Sequence, residues 1–330
     1  MNTDFNLDSN IRVIPSLHAR PGVGQNPAAV DRSGWPKGFM WATILLVACF
    51  SVPLFHLARF AATSELYSHI LLVPFVSVYL AWSNRGNMRG FSGPNRRFVV
   101  FAWCAGLVVL AGYWLVVWSG WPMTTQDGLA WTTAAFVCFF FGVCGLFVSR
   151  EALQAMRFPL CFLVFMVPFP TVVHNWLESL LQRGSALTAY GLFQLAGTPV
   201  FYNDPNFQLP GFALQVAPEC SGIHSSLVLF LTSLVAGHLF LRSPWKQGIL
   251  ALAVLPLGLL RNGFRIFVIG QLCIHIGPQM VHSPIHHDGG PIFFALSMVP
   301  FFLLLILLRR SEPVPAGPTD LQRSSANGRN

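Results

Sequence analysis

The sequence predicts an all-α polytopic membrane protein with about eight transmembrane helices, an extracytoplasmic amphipathic helix and a short extended segment before the sixth helix. Three observations favour this fold class. Hydrophobic residues make up 54% of the 330 residues. Charged residues make up 10%, well below the roughly 25% of a soluble domain. Several apolar runs also reach the roughly 20 residues that an α-helix needs to cross the hydrocarbon core of a bilayer.

Polar segments flank the apolar part of the chain. Residues 1–36 are rich in Gly, Pro, Asn and Arg and lack periodicity, and residues 311–330 are similarly polar. Both compositions are typical of disordered tails. Between them we predict one transmembrane domain over residues 37–310. Its spans are expected at about 39–58, 66–83, 98–118, 128–148, 158–173, 223–241, 248–272 and 291–308.

The fifth apolar run and the long connection after it differ from the other segments. Prolines within 158–170 predict that the fifth run is kinked or ends early. Apolar residues then recur at helical spacing over 173–191, with polar residues on the other face, which predicts an amphipathic helix at the outer membrane interface. The following "FQLPGFALQV", residues 207–216, alternates apolar and other residues and predicts an extended segment that leads to Cys220.

The distribution of Lys and Arg predicts the orientation in the membrane. If both tails are cytoplasmic, nearly every basic segment falls on the cytoplasmic side, and only Arg59, Arg183, Arg261 and Arg265 fall on the other. The positive-inside rule favours this arrangement, which places Cys220 on the periplasmic or outer side. Because the basic residues lie beside apolar runs and form no patch interleaved with aromatics, we expect no nucleic-acid partner despite the net charge of +8.

Cys220 is the first candidate for chemistry, in "VAPECSGIHSS", residues 216–226. The chain has seven cysteines; an odd number without a CxxC pair argues against a disulfide framework or a zinc knuckle. Most lie within apolar runs, whereas Cys220 stands among polar residues at the edge of one. Gly222 permits a sharp turn, and a helix N-terminus favours the thiolate form. This local pattern leaves open a nucleophile or a packed thiol beside a turn.

Two arginines and a group of histidines are the other candidates. Arg261 and Arg265 lie four residues apart on one predicted helical face within an apolar run. An intramembrane arginine is costly and marks a functional candidate, although one of the two could snorkel to headgroups. Asn262-Gly263 is expected to break the helix there. Four polar residues, His282, His286, His287 and Asp288, precede the last run.

The histidine group permits three interpretations: a general acid or base, a metal cluster, or an ordinary polar loop. Pro284 disrupts a simple helical pair of ligands, so we expect no metal and no other cofactor. With the predicted topology, a cysteine, an arginine and a histidine lie at the outer ends of three successive spans. These groups are the nucleophile, oxyanion donor and proton carrier that thiol-based acyl transfer needs.

Five segments together resemble the exosortase/archaeosortase family of membrane-embedded cysteine transpeptidases. "ECSGI" (219–223) is similar to its Cys-Ser-Gly block, "NGFR" (262–265) to its Asn-x-x-Arg block and "HHDGGPIFF" (286–294) to its His-to-Gly block. "YSHILLVPFVSVYLAW" (67–82) resembles its Tyr-Ser-His signature, and "FPLCFLVFMVPFP" (158–170) its Pro-rich span. The order and spacing of all five, over roughly residues 40–308, carry the resemblance.

The resemblance implies a role for each candidate residue. Cys220 would be the nucleophile, Arg265 the partner of an oxyanion or carboxylate, and His286 the proton carrier, with His287 as its alternative. Glu219 departs from the alanine common in the family block, and a carboxylate beside the thiol disfavours the thiolate. Arg261 is expected to support a helix kink or to snorkel, so that lysine there would be tolerated.

The implied activity is cleavage of C-terminal sorting signals on exported proteins. Such a signal combines a short motif (Pro-Glu-Pro in the commonest class), a transmembrane helix and a basic end, and the family occurs mainly in Gram-negative bacteria that make exopolysaccharide. The resemblance places the enzyme in the inner membrane, with the active site on the periplasmic side, and the partners are the exported proteins and membrane lipids. Two alternatives stay open: a non-enzymatic component of exopolysaccharide export, and a metal-dependent intramembrane protease.

Overall fold

The computed structural model describes residues 37–84, 95–203, 206–209, 212–215, 221–277, 279–280 and 290–312. These residues are mostly helical, which confirms the all-α polytopic class. The predicted tail over 1–36 lies outside them, as do all but the first two residues of the tail over 311–330. The helices are α1 (Lys37–Cys49), α2 (Ser51–Thr63), α3 (His69–Ser83), α4 (Arg96–Trp118), α5 (Thr125–Phe147), α6 (Arg150–Ala155), α7 (Arg157–Phe162), α8 (Thr171–Leu195), α9 (Ile223–Phe240), α10 (Pro244–His275) and α11 (Gly290–Arg310).

Five of the described helices, α4, α5, α9, α10 and α11, are long and apolar enough to cross a membrane. Counting two bent pairs of shorter helices as one span each raises the number to seven, and α3 is a shorter apolar helix. The predicted count of eight is therefore not confirmed. The first predicted span is two helices, α1 and α2, bent by 72°. Pro53 explains the break, because its ring would clash with the Cys49 carbonyl in a continuous helix.

The fifth predicted span ends early, as its prolines predict. After α7, one 3-10 turn over Leu163–Met166 leads to an extended Val167, and α8 begins at Thr171. The two helical parts meet at 92°. Pro168 and Pro170 account for the break, since neither can donate a backbone hydrogen bond within a helix.

Helix α8 is the predicted amphipathic helix, and it is longer than the predicted 173–191. Several of its large apolar side chains, among them Val173, Leu180 and Leu187, are exposed. The face buried against the protein is lined mainly by small residues, such as Ser185 and Ala189. Helix α8 therefore packs closely on α10 through these small residues, while much of its large apolar surface faces away from the protein. Its position at the outer membrane interface stays a prediction.

A three-stranded antiparallel sheet follows α8, with the order β1 (Phe201–Asn203), β2 (Asn206–Leu209), β3 (Phe212–Gln215). Strands β2 and β3 confirm the predicted extended segment. Phe207 and Leu209 are buried and alternate with exposed residues, and the Phe207 ring lies 5.9 Å from that of Phe193 in α8. Strand β1 was not predicted, because three residues are too few to show alternation.

Helix α10 continues without interruption through Asn262 and Gly263, so the predicted break there is wrong. The glycine has a packing role instead. A Cβ atom on Gly263 would lie 2.6 Å from the Thr188 Cβ and 3.0 Å from the Ser185 carbonyl oxygen of α8. Small residues permit such close approach between helices in a membrane, where packing drives association.

We expect Gly263→Ala to destabilise the protein by about 1–3 kcal/mol, because the added methyl group forces α8 and α10 apart. Gly248→Ala is the matched control in the same helix, since a Cβ there meets no atom within 4 Å. The control should be neutral, or stabilising by up to about 1 kcal/mol through helix propensity. Thermal unfolding in one detergent compares the two variants. Equal unfolding temperatures would contradict this account of the packing.

The chain beyond α11 folds back onto the start of α10. The Glu312 carboxylate accepts hydrogen bonds from the backbone N–H groups of Arg242 (2.7 Å) and Ser243 (3.1 Å). The buried Lys246 ammonium donates to the Ser311 hydroxyl at 3.0 Å. Glu312 thus supplies acceptors at the α10 N-terminus, where backbone N–H groups lack partners within the helix.

These contacts make the start of α10 pH-dependent. Hydrogen bonds, first that from the Ser243 amide, hold the pKa of Glu312 below its ordinary 4.5. Because the folded-state pKa is lowered, the stabilisation is complete above pH 4.5 and is lost as the pH falls through the folded-state value. We expect Glu312→Gln to speed hydrogen exchange at Arg242 and Ser243 near neutral pH. Glu151→Gln, at the exposed start of α6, should leave exchange at those two amides unchanged.

Candidate active site beside the start of α9

The start of α9 is a sharp turn at Gly222. Gly222 has a φ of +70°, in the left-handed region that glycine adopts without strain, and Ile223 opens the helix as predicted. The Gly222 carbonyl accepts from the Ser226 backbone N–H at 3.0 Å and from the Ser225 hydroxyl at 3.1 Å. Ser221 is 2% exposed. The residue that precedes Ser221 in the chain, Cys220, lies outside the described residues.

Arg261 of α10 reaches this turn. Its Nη2 donates to the Gly222 carbonyl oxygen and to the Ser226 hydroxyl, both at 3.3 Å. The arginine is only 8% exposed. At this burial the side chain does not snorkel, and α10 has no break at Asn262-Gly263 for it to support. Both expectations are therefore wrong, and the tolerance of lysine that rested on them no longer follows. The sequence could not reveal this contact, because nothing in it specifies which residues of α9 and α10 face each other.

Small residues allow α10 to come this close. A Cβ on Gly222 would lie 3.1 Å from the Asn262 Cγ and 3.3 Å from the Arg261 Nη2. A Cβ on Gly258 would lie 2.7 Å from the Ser226 hydroxyl oxygen. Asn262 is 3% exposed. The structure thus brings the start of the segment 262–265 against the turn that follows Cys220.

Arg265 lies one helical turn after Arg261 in the same uninterrupted helix, and it is half-buried. Residues four apart share a helix face, so the two guanidinium groups belong to the same side of α10. His286, its alternative His287, and the rest of the histidine group lie outside the described residues. The proposed roles of Cys220, Arg265 and His286, and the expected absence of a metal, therefore stay predictions.

A second polar group joins the starts of α3, α5 and α8. Gln126 donates to the Tyr67 hydroxyl at 2.8 Å and to the Phe169 carbonyl at 2.7 Å. The neighbouring Asp127 carboxylate accepts from the backbone N–H and from the hydroxyl of Thr171, both at 2.7 Å. These bonds hold the break before α8 to the first turn of α5.

Two histidines extend this polar group towards α9. The His174 ring lies 6.4 Å from the Tyr67 ring, and its Nε2 is 3.8 Å from a Glu178 carboxylate oxygen. His69, in the first turn of α3, lines one cavity with Val228 and Thr232 of α9. The polar face predicted for α8 thus turns partly towards the protein. The sequence carries one signal that could have predicted this polar group: polar residues stand in the first turn of several apolar runs.

A known protein family matches most of this chain. A family model described as "Transmembrane exosortase (Exosortase_EpsH)" matches residues 59–303. The match includes Tyr67, the Gly222 turn, Arg261 and Arg265, together with the positions of Cys220 and His286. No curated protein and no solved structure gave a match.

Proposed function

Because this chain belongs to the transmembrane exosortase family, we propose that it is a cysteine transpeptidase that cleaves the C-terminal sorting signals of exported proteins. The observation that carries the proposal is the contact of Arg261 and Asn262 with Gly222. That contact joins the segment containing Arg265 to the turn two residues after Cys220. Such an arrangement supports a shared site for a thiol nucleophile and a guanidinium donor.

The proposed reaction has two acyl-transfer steps. The Cys220 thiolate attacks the scissile carbonyl carbon, and the carbonyl oxygen takes the negative charge while Arg265 donates hydrogen bonds to it. The C–N bond then breaks, His286 delivers a proton to the leaving amine, and a thioester remains on Cys220. An acceptor amine attacks the thioester and passes a proton to His286, the C–S bond breaks, and the Cys220 thiolate leaves as the new amide forms.

The proposed substrates are exported proteins that carry a short motif, a transmembrane helix and a basic end. We place the enzyme in the inner membrane and its active site on the periplasmic side, because nearly all basic connections fall on the cytoplasmic side in that orientation. A reporter fused after Arg310 should be active only in the cytoplasm. Activity of that fusion in the periplasm would overturn the orientation.

Purified protein in proteoliposomes, mixed with a tripartite Pro-Glu-Pro substrate and no acceptor amine, tests the proposal. We expect cleavage at the motif and a mass increase on the peptide that contains Cys220, equal to the acyl fragment. A chelator should leave the rate unchanged. Chelator-sensitive cleavage without a thioester would favour the metalloprotease alternative, and no cleavage of any tripartite substrate would favour the export component.

A further inference from the structure

Arg261 is a buried charge for which the proposed reaction has no use. Resting on the proposed function, we infer that Arg261 is a positioning residue that fixes the turn carrying Cys220 at the start of α9. It acts on the nucleophile through the Gly222 carbonyl and the Ser226 hydroxyl, and Arg265 keeps the proposed contact with the substrate. Two separate observations, its burial and its hydrogen-bond geometry, support this assignment.

The burial of Arg261 excludes a role at the lipid headgroups. At 8% exposure, the side chain is closed off from both lipid and water, and no described carboxylate lies within ion-pair distance of it. Within the described part of the chain, its Nη1 is also buried without a hydrogen-bond partner. A buried cation in this state is costly. Helix packing alone does not explain it, because an apolar side chain would fill the space without that cost.

The hydrogen bonds show what Arg261 holds. Its Nη2 contacts both the Gly222 carbonyl and the Ser226 hydroxyl, which lie on the first turn of α9. Gly222 cannot take a side chain without strain and close contact with Asn262 and Arg261. The turn is therefore fixed from two sides, by its own backbone and by α10. Cys220 precedes Gly222 by two residues in the sequence, so a change at this turn is expected to reach the thiol.

Arg261→Lys tests the inference, because lysine keeps the charge and loses the planar fork of donors. We measure the rate of thioester formation in a single turnover, substrate binding, and the alkylation of Cys220 by iodoacetamide against pH in substrate-free protein. Mass spectrometry of the Cys220 peptide separates this thiol from the other cysteines. Arg59→Lys, at an exposed arginine on the same predicted side, is the matched control.

We expect Arg261→Lys to slow thioester formation by about 100-fold, the cost of a small misplacement of a reacting group, with substrate binding unchanged. The pH profile of Cys220 alkylation should shift as well, whereas Arg59→Lys should change neither property. A folded Arg261→Lys protein with wild-type alkylation and thioester formation would overturn the inference.

If Arg261→Lys does not insert in the membrane, Ser226→Ala replaces it as the test. This variant keeps the arginine and removes one of the two acceptors that the described residues offer it, so we expect a smaller change of alkylation in the same direction. Unchanged alkylation in Ser226→Ala would overturn the inference. A different result would contradict the proposed function itself. If a Cys220→Ser variant still forms product, the proposed function is wrong, whatever the alkylation measurements show.

Discussion

Replacing Cys220 with serine is expected to lower the processing of a sorting signal by at least about 10⁴-fold, which is typical for loss of a nucleophile. The serine hydroxyl is similar in shape, but it stays protonated near neutral pH and attacks a carbonyl only weakly without a strong base. Insertion and abundance should be unchanged, since the substitution removes no large side chain. The measurement compares product formation at matched amounts of membrane protein.

The other cysteines serve as controls for this substitution. Cys144 and Cys273 are buried, and Cys49 is exposed. Replacing any of them with alanine should cost packing at most and leave the rate of processing close to that of the wild type. A Cys220→Ala variant that processes the signal at a near-normal rate would contradict the thiol mechanism, even if all the controls behave as expected.

The membrane class of the fold could be predicted from composition, because each apolar run carries its own signal. The number of spans could not. Pro53 and Pro168 break apolar runs, and the angle of each bend cannot be read from hydropathy. Helix α3 has only 15 residues, fewer than the roughly 20 that cross the hydrocarbon core. Where a broken pair crosses the bilayer depends on how its halves pack against neighbouring helices, which is a tertiary property.

The sequence predicted which residues form the candidate site better than it predicted which of them contact each other. The position of Gly222 at the start of α9 followed from local sequence, since glycine permits the left-handed turn found there. The role of Gly263 did not. Taken from the local sequence alone, a glycine after an asparagine indicates a helix break. In the folded protein, Thr188 on α8 comes so close that the same glycine is a packing position. Arg261 was misjudged for the same reason, since its acceptor lies 39 residues away in the sequence.

Replacing Arg265 with lysine is expected to slow thioester formation by about 100-fold or more, the usual cost of removing one oxyanion donor. Lysine preserves the positive charge but offers a single ammonium group in place of a planar fork that can bind one anion at two points. Since we propose that Arg265 acts on the substrate, the alkylation of Cys220 in substrate-free protein should stay close to that of the wild type. This separates it from Arg261, whose replacement should change that alkylation.

The three arginine variants are best compared at matched membrane levels, with Arg59→Lys as the common control. The assignment predicts slow thioester formation with normal alkylation for Arg265→Lys, and slow thioester formation with altered alkylation for Arg261→Lys. If instead Arg265→Lys processes the substrate normally and Arg261→Lys is inactive with normal alkylation, the two roles are reversed. Arg261 would then be the donor to the oxyanion, since its Nη1 is buried and has no hydrogen-bond partner among the described residues.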